Sequence, residues 1–403
     1  VNDGAYLMSP HPVNARPLQK DLDLRYDDQT LAVYPATLAP PPYNYPFPMD
    51  REAGIDAYAQ MISAPEHKRR RAAGIATEHI YTADQGTAPV LQVVVSRADK
   101  ITGDVTIYEF TMPDGSDVPA FEAGAHIDVV VAPEFFRQYS LSGDPADRSR
   151  YQIAVLREDS GKGGSKLMHR IFEVGRRVFI SYPINHFPLT EDASFTYLMG
   201  GGIGVTPMIA MAHRLYAIGG HFALHYSCSK RENAGFLAEL ALVPWADKII
   251  YHFSDQGNRA NLVDVLVAAP TAHVYTCGPE TYMAAVTGTA EQNGFSEDNI
   301  HLEYFSVPEQ PDYENHAFTL RLAKSGKDVV VRADQAPTDA LLAAGIHVDV
   351  KCSDGLCGVC KCSVLSGEVE HRDFVLSKKD HTTRMILCQS RASRPDGVIE
   401  INL

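Results

Sequence analysis

The chain has 403 residues, 45% of them hydrophobic and 21% charged, and carries 36 Lys plus Arg against 50 Asp plus Glu, a formal net charge of −14. That apolar content suits a globular protein of two to four domains at roughly 100–200 residues each, and no run approaches the ~20 apolar residues of a membrane span. So acidic a chain is no general binder of nucleic acid, because phosphate contacts need clustered Lys and Arg.

Residues 1–87 stand apart as an extension. Residues 1–7 lack the charged start and apolar stretch of a signal peptide, so a cytoplasmic location is expected. Residues 33–48 read VYPATLAPPPYNYPFP, and their prolines admit neither a regular helix nor a central strand. Residues 51–73 suit one helix with a basic run, Lys68, Arg69, Arg70 and Arg71. That run is either a solvated helix face or a docking surface for an acidic partner.

From residue 88 the pattern becomes one of short alternating segments. Residues 90–96, 105–111, 126–131, 138–142, 151–156 and 177–182 predict six strands, with one helix at 165–172. Strands at this spacing predict a small antiparallel barrel over 88–190. Residues 195–199 then form a compact apolar strand that runs through a glycine loop into a helix at 206–218. Strands at 222–226, 248–252 and 273–276 and a helix near 235–240 continue the alternation, which predicts a parallel α/β domain over 191–306. Residues 307–315 (VPEQPDYEN) have the composition of a linker, placed at 307–317. Beyond it, 318–322 and 329–331 predict a hairpin and 338–344 a short helix, ahead of a cysteine loop.

The seven cysteines are unevenly spread. Cys228 and Cys277 lie alone, while Cys352, Cys357, Cys360, Cys362 and Cys388 crowd the end of the chain. An odd count without a secretory signal argues against a disulfide framework. Cys352-x4-Cys357-x2-Cys360, with Cys388 further on, is the plant-type 2Fe–2S spacing. Two irons and two sulfides require four thiolates in a small volume: three from one tight loop, the fourth from a distant strand. Gly355 and Gly358 let the backbone wrap closely and aim amides at the sulfurs. Cys362, one alternation past Cys360, reads as a buried non-ligand. The alternative is a structural zinc site, but zinc favours two C-x2–4-C knuckles, and Cys388 has no cysteine or histidine beside it. His371 and His381 are the histidines available nearby.

The run CSDGLCGVC, then SGEVEHRDFVL, then Cys388 ahead of a terminal strand at 400–403, resembles the ferredoxin domain of phthalate dioxygenase reductases. That family joins a flavin barrel, a nicotinamide domain and a C-terminal plant-type ferredoxin, the order read above from patterning. The resemblance covers about residues 88–403. The expected fold class is multidomain α/β plus β: a six-stranded antiparallel flavin-binding barrel, a parallel α/β nicotinamide domain and a β-grasp ferredoxin domain at 318–403.

Arg137-Gln138-Tyr139-Ser140 matches the R-x-Y-S signature of ferredoxin-reductase-like flavin barrels. An arginine pairs a flavin phosphate bidentately, an aromatic ring covers the dimethylbenzene side, and a hydroxyl hydrogen-bonds the hydride acceptor N5. Gly161-Lys162-Gly163-Gly164-Ser165 opens a helix, a natural phosphate site. By resemblance, Gly164 and Ser165, in one turn with Gly163, bind the flavin phosphate, and Arg157 after the barrel strand belongs to the same run. The resemblance also favours FMN over FAD, which residue chemistry alone leaves open.

Gly200-Gly201-Gly202-Ile203-Gly204-Val205-Thr206-Pro207 sits between a strand and a helix, as a dinucleotide loop should. Pro207 departs from G-x-G-x-x-G but fits a first helical turn. With Cys277-Gly278-Pro279 downstream, the pair resembles the nicotinamide signature of this reductase superfamily. The resemblance implies that Gly202, Gly204, Thr206, Pro207, Gly278 and Pro279 bind the nucleotide and that Cys277 lies near its ring. Ser140 and Cys277 are the candidate catalytic residues. At Ser227-Cys228-Ser229-Lys230-Arg231-Glu232, Lys230 stands about where the phthalate type carries an acid, so NADPH use is open while the resemblance keeps NADH ahead. The resemblance also places the ring of Phe305, in Glu303-Tyr304-Phe305, near the flavin; a plain core residue is the other reading.

The function implied is the reductase component of a multicomponent oxygenase. It would pass electrons from NADH through FMN and a 2Fe–2S cluster to a terminal oxygenase of the Rieske non-haem iron type. Two alternatives remain: the reductase partner or fragment of a haem monooxygenase, or a redox-sensing flavo-iron–sulfur protein.

Overall fold

The computed structural model describes residues 90–132, 135–158, 164–308, 312–350 and 352–403. The extension at 1–87 with its basic run, part of the 307–317 linker and Gly163 lie outside the described residues. The chain divides into two compact units that meet in sequence between Leu302 and Glu303.

The first unit opens with β1 (Val90–Lys100), β2 (Val105–Thr111), β3 (Ala125–Ala132), β4 (Phe135–Ser140), β5 (Tyr151–Leu156), β6 (Arg177–Ser181) and the short β7 (Ile184–Asn185). They form one sheet in the order β4-β3-β6-β1-β2-β5, with β7 paired to β3. The strand pairings of this sheet are antiparallel, and β4 approaches β5 to bring the six-strand path near closure. The alternation that predicts β1 also fills the barrel: Leu91, Val93 and Val95 are buried. β1 nevertheless outruns its apolar pattern. A bulge between Val95 and Arg97 keeps the ladder to β2 in register as far as Lys100, although residues 97–100 carry no alternation signal.

β2 is buried on both faces. Tyr108 packs edge-on against Phe172, while Val105 and Ile107 join a core shared with the α/β strands. Helix α1 (Gly164–Ile171) lies over the barrel, burying Leu167 and Met168 and ending on His169 and Arg170. The Arg170 cation in the last turn suits the helix dipole.

The α/β part runs β8 (Phe195–Gly201), α2 (Val205–Ala217), β9 (Phe222–Cys228), α3 (Leu237–Leu240), β10 (Ile249–Phe253), α4 (Leu262–Val265), β11 (Ala272–Cys277), α5 (Glu280–Gln292) and β12 (Ile300–Glu303). The sheet order is β10-β9-β8-β11-β12, and the pairings β10·β9, β8·β9 and β11·β8 are parallel. Consecutive buried residues such as Leu198 and Met199 are the mark of a strand covered on both faces. The helix expected at 235–240 shortens to α3; Gly235 ahead of it, a poor helix former, packs so close to Ile101 that a Cβ on it would lie 2.6 Å from the Ile101 Cδ1. Helix α5, which the sequence reading does not name, buries Met283, Val286 and Ala290 along one face.

The second unit holds β13 (Phe318–Leu322), β14 (Lys327–Val331), α6 (Pro337–Ala343), β15 (Lys361–Ser366), β16 (Val369–Glu370), α7 (Lys378–His381), β17 (Arg384–Ile386), β18 (Arg391–Ala392) and β19 (Val398–Ile401). Its main sheet has the order β14-β13-β19-β15-β17, with β16 and β18 paired separately. β13 runs antiparallel to β14 and parallel to β19, so the terminal strand is central. α6 starts on Pro337, where the missing N–H costs nothing. Ala340 and Leu341 join the sheet's core with Leu320, Val331 and Ile401, which gives a β-grasp arrangement.

Candidate cofactor and electron-transfer sites

β4 lays out the first site. Arg137 pairs with Val129, Tyr139 with Ile127 and Ser140 with His126 across the β3·β4 ladder. The pleat turns Arg137 and Tyr139 to one face and Ser140 to the other. Gln138 Nε2 and His126 Nε2 lie 2.9 Å apart, and Ser140 is buried. Burial pushes the Tyr139 phenol above its ordinary range, so the ring stays neutral. At the start of α1, a Cβ built on Gly164 would lie 2.7 Å from Arg137 Nε and 2.9 Å from its Cζ. The guanidinium therefore lies against the first residue of a helix, and only glycine leaves room for it. Cation and helix N-terminus together form a cradle suited to a phosphate. Ser165 Oγ accepts from the Glu158 backbone N–H at 3.0 Å, which ties the helix start to the chain just past β5, and the Arg157 N–H donates to Asp104 O at 2.7 Å, in the turn before β2.

The second site lies where the α/β strand order reverses, between β8 and β11, and such switch points bind ligands at the carboxyl ends of the strands. The loop after β8 turns through Gly202, at φ 56°, into α2, with Thr206 Oγ1 donating to Ile203 O at 3.0 Å and Pro207 in the helix's first turn. The loop after β11 carries Cys277, Gly278 and Pro279 directly across it. A Cβ on Gly204 would collide with the Cys277 carbonyl and lie 2.6 Å from the Gly278 nitrogen. Gly278, at φ 152°, would in turn meet Gly201 Cα at 2.9 Å. The glycines of the two motifs are thus what lets their backbones cross. Beside the crossing opens a cleft of about 800 Å³, lined by Gly201, Gly202, Ile203 and Pro279, by Ser227 and Ser229 after β9, and by Thr102 and Asp104 from the barrel. Cys277 is 1% exposed.

Tyr282, Asn233 and Arg259 are among the cleft residues that carry no motif. Tyr282 lies within 3.4 Å of Ser227 Oγ, and a Cβ on Gly201 would touch its ring at 2.8 Å. Arg259 and Asn233 sit on loops whose sequence has no periodic signal, so only the fold brings them in. Lys230, exposed, pairs with Glu232 at 3.3 Å.

The third site is the cysteine loop of the second unit. Gly355 (φ 78°), Gly358 (φ 67°) and Ser353 (φ 60°) all take left-handed backbone, which coils the chain around Cys357 and Cys360. Leu387 N donates to Cys360 O at 3.1 Å, carrying Cys388 to the loop, and Gln389 Nε2 ties it to Ser353 O at 2.6 Å. The four sulfurs converge: Cys352 shares hydrogen bonds with Cys357 and Cys388, and Cys360 with Cys388. Those bonds push Cys352 well below the ordinary thiol range and Cys388 well above it. Four thiols forced to share protons are a donor set for iron, and the residues fit a cluster. Asp354 N donates to Cys352 Sγ at 3.3 Å. Cys362 is buried in the β-grasp core, its thiol 3.6 Å from the Ser363 carbonyl oxygen and pushed up by burial. Phe305 follows β12 and is 46% exposed.

Comparison with known proteins follows the same division. Residues 321–393 match the family described as 2Fe-2S iron-sulfur cluster binding domain. The vanillate O-demethylase oxidoreductase of Pseudomonas sp. (strain HR199 / DSM 7063) is 36% identical over 317 residues, 77% of this chain and 100% of that one. A solved phthalate dioxygenase reductase, described as a modular structure for electron transfer from pyridine nucleotides to [2Fe-2S], is 34% identical with a TM-score of 0.56, covering 78% of this chain and 98% of its own. An intact type IV self-sufficient cytochrome P450 monooxygenase is 35% identical with a TM-score of 0.72; the match takes 78% of this chain but only 41% of the P450. Among the described residues no helix is long and apolar enough to cross a membrane.

Proposed function

Because the chain belongs to the phthalate dioxygenase reductase family of flavin and 2Fe–2S oxidoreductases, we propose that it is the reductase component of a multicomponent oxygenase. It draws electrons from NADH, holds FMN and a 2Fe–2S cluster, and serves a separate terminal oxygenase of the Rieske non-haem iron type. The observation that carries this reading is the presence, in one chain, of the glycine crossing at the sheet's switch point and of four converging thiols.

In this reading residues 88–190 form the flavin barrel, 191–306 the nicotinamide domain, 307–317 the linker and 318–403 the ferredoxin domain. Arg137, Arg157, Gly163, Gly164 and Ser165 hold the flavin phosphate, Tyr139 covers the ring and Ser140 offers its hydroxyl to N5. Gly202, Gly204, Thr206 and Pro207 seat the pyridine nucleotide against Gly278 and Pro279, with Cys277 beside the ring and Phe305 on the flavin side. Cys352, Cys357, Cys360 and Cys388 ligate the iron. When bound, the flavin takes up electrons in pairs and the cluster releases them singly. The protein's own part is to bind, orient and shield these groups. A cytoplasmic setting keeps the thiol ligands reduced.

The match to the P450 favours one second reading, in which the electrons go to a haem monooxygenase. Mixing the purified chain and NADH with a vanillate-demethylase-type terminal oxygenase, and separately with a haem monooxygenase, decides between them. Product formed with the first and not the second supports the proposal. The reverse result sinks it in favour of the haem reading.

A further inference from the structure

Part of the lining of the cleft beside the glycine crossing comes from the turns after β9 and β10, which no motif describes. Ser229 and Asn233 line it from the first turn, Ser254 and Arg259 from the second. Asp255 N donates to Ser229 O at 3.0 Å, which ties the two turns together. The second turn then folds back: Gly257 takes left-handed backbone at φ 69°, and Asn258 N returns to Phe253 O at 3.2 Å. That reversal carries Arg259 to the cleft.

The charges of this lining differ from those of an NAD site. Dinucleotide domains that take NAD place an Asp or Glu after the second strand to bind the ribose hydroxyls, whereas an Arg there accommodates a 2′-phosphate. Here the acids of the two turns, Glu232 and Asp255, are exposed, and neither lines the cleft. Among the described residues of the lining, Arg259 is the one Lys or Arg, and Asp104, in the barrel turn before β2, is the one carboxylate. Arg259 makes no ion pair or side-chain hydrogen bond with the described residues, so its N–H donors are uncommitted. The neutral groups are set as donors too. Asn233 Nδ2 donates to Ser229 Oγ at 2.9 Å, which leaves the Ser229 hydroxyl hydrogen and a second amide hydrogen of Asn233 to donate elsewhere. Guanidinium, hydroxyl and amide together suit an anion. A ribose diol, which must also donate, finds no carboxylate of these two turns in the cleft.

We propose that Arg259, with Ser229 and Asn233, seats a 2′-phosphate, so that NADPH as well as NADH serves this chain; the proposal rests on the reading of this cleft as the pyridine nucleotide site. Lys230, the cation that the sequence offers for the role, is held by Glu232 at 3.3 Å and is no part of the lining. Arg231 lies over the Phe253 ring, 5.4 Å from its centroid, and adds positive field without lining the cleft.

The test uses the full chain with flavin and cluster in place. Binding of the oxidised nucleotides NADP⁺ and NAD⁺ is measured by calorimetry, which needs no turnover. The parent chain should bind NADP⁺ at least as tightly as NAD⁺. Arg259→Ala should lower the ratio of NADP⁺ to NAD⁺ affinity at least about ten-fold, the loss expected of a charge-assisted phosphate contact. Ser229→Asp should lower the same ratio by setting a carboxylate against the phosphate, and it decides if Arg259→Ala does not fold. NADP⁺ bound more weakly than NAD⁺ by the parent chain, or a ratio unchanged by the substitutions, would overturn the assignment of Arg259. Binding of neither nucleotide by the parent chain would instead sink the nucleotide reading of the cleft on which it rests.

Discussion

Gly204 shows how a missing methyl group shapes this protein. Its Cα faces the Cys277 carbonyl so closely that any side chain must push the two loops apart. Gly204→Val should cost about 1–3 kcal/mol of stability and abolish NADH-driven flavin reduction, while bound flavin remains; stopped-flow flavin bleaching checks this. Arg137 makes the complementary case. Removing a charged phosphate donor typically costs about 1.5–3 kcal/mol, so Arg137→Ala should release flavin at least ten-fold more readily in equilibrium dialysis. The cysteines divide by partner. Cys352→Ser should lose the cluster, whereas Cys362→Ser, whose thiol lies 3.6 Å from the Ser363 carbonyl oxygen, should keep it; iron and sulfide content distinguishes the two. At this scale the sequence is informative wherever a motif demands a residue type, as at Cys352 or Gly204. It is silent about Tyr282 and Arg259, which reach the cleft only through the fold. It also leaves open what His371 and His381 do; the fold pairs both with the Asp373 carboxylate.

At the scale of elements, apolar patterning made most strands legible: alternation and burial coincide along β1, while β2 and β5 are apolar runs buried on both faces. It misjudged lengths where tertiary ladders act. β1 continues past its apolar run through a bulge, and the helix expected at 235–240 covers only Leu237–Leu240, since Gly235 is a poor helix former. The α/β sheet also carries a feature without motif, two pairs of stacked histidines. His225 Nδ1 lies 3.0 Å from His252 Nε2, and His273 Nδ1 lies 2.8 Å from His301 Nε2. Burial, and secondly the neighbouring ring, push His225 and His301 down to about 4. The folded sheet therefore binds these protons only near pH 4, whereas the unfolded chain binds them near pH 6.5. Stability is complete above about 6.5 and is lost as pH falls toward 4, by about 2–3 kcal/mol for each of the two. Melting followed from pH 7 to pH 4.5 should show a falling midpoint, with a shallower fall in His301→Gln. A level midpoint in the parent chain would contradict it.

For the whole molecule, the family resemblance rests on motifs spread from the barrel to the cysteine loop, and it was legible because each motif demands particular residue types. Which oxygenase accepts the electrons is not written in these residues, because a reductase never touches the organic substrate. The net charge of −14 suits an electron donor that meets a basic patch on its acceptor, and such docking weakens with salt. Raising ionic strength from 0.05 to 0.5 M, values on either side of the ~0.1 M at which screening reaches about 10 Å, should slow acceptor reduction several-fold and leave flavin reduction by NADH unchanged. In the proposed function, electrons from NADH leave this chain through its four-cysteine cluster. NADH-driven reduction of cytochrome c by the flavin- and cluster-loaded chain, compared with Cys352→Ser, tests it most directly. Rapid reduction that the variant loses is expected, while the variant still passes electrons from NADH to ferricyanide through its flavin. Cytochrome c reduction undiminished in Cys352→Ser, or no turnover from the fully loaded parent chain, would contradict it.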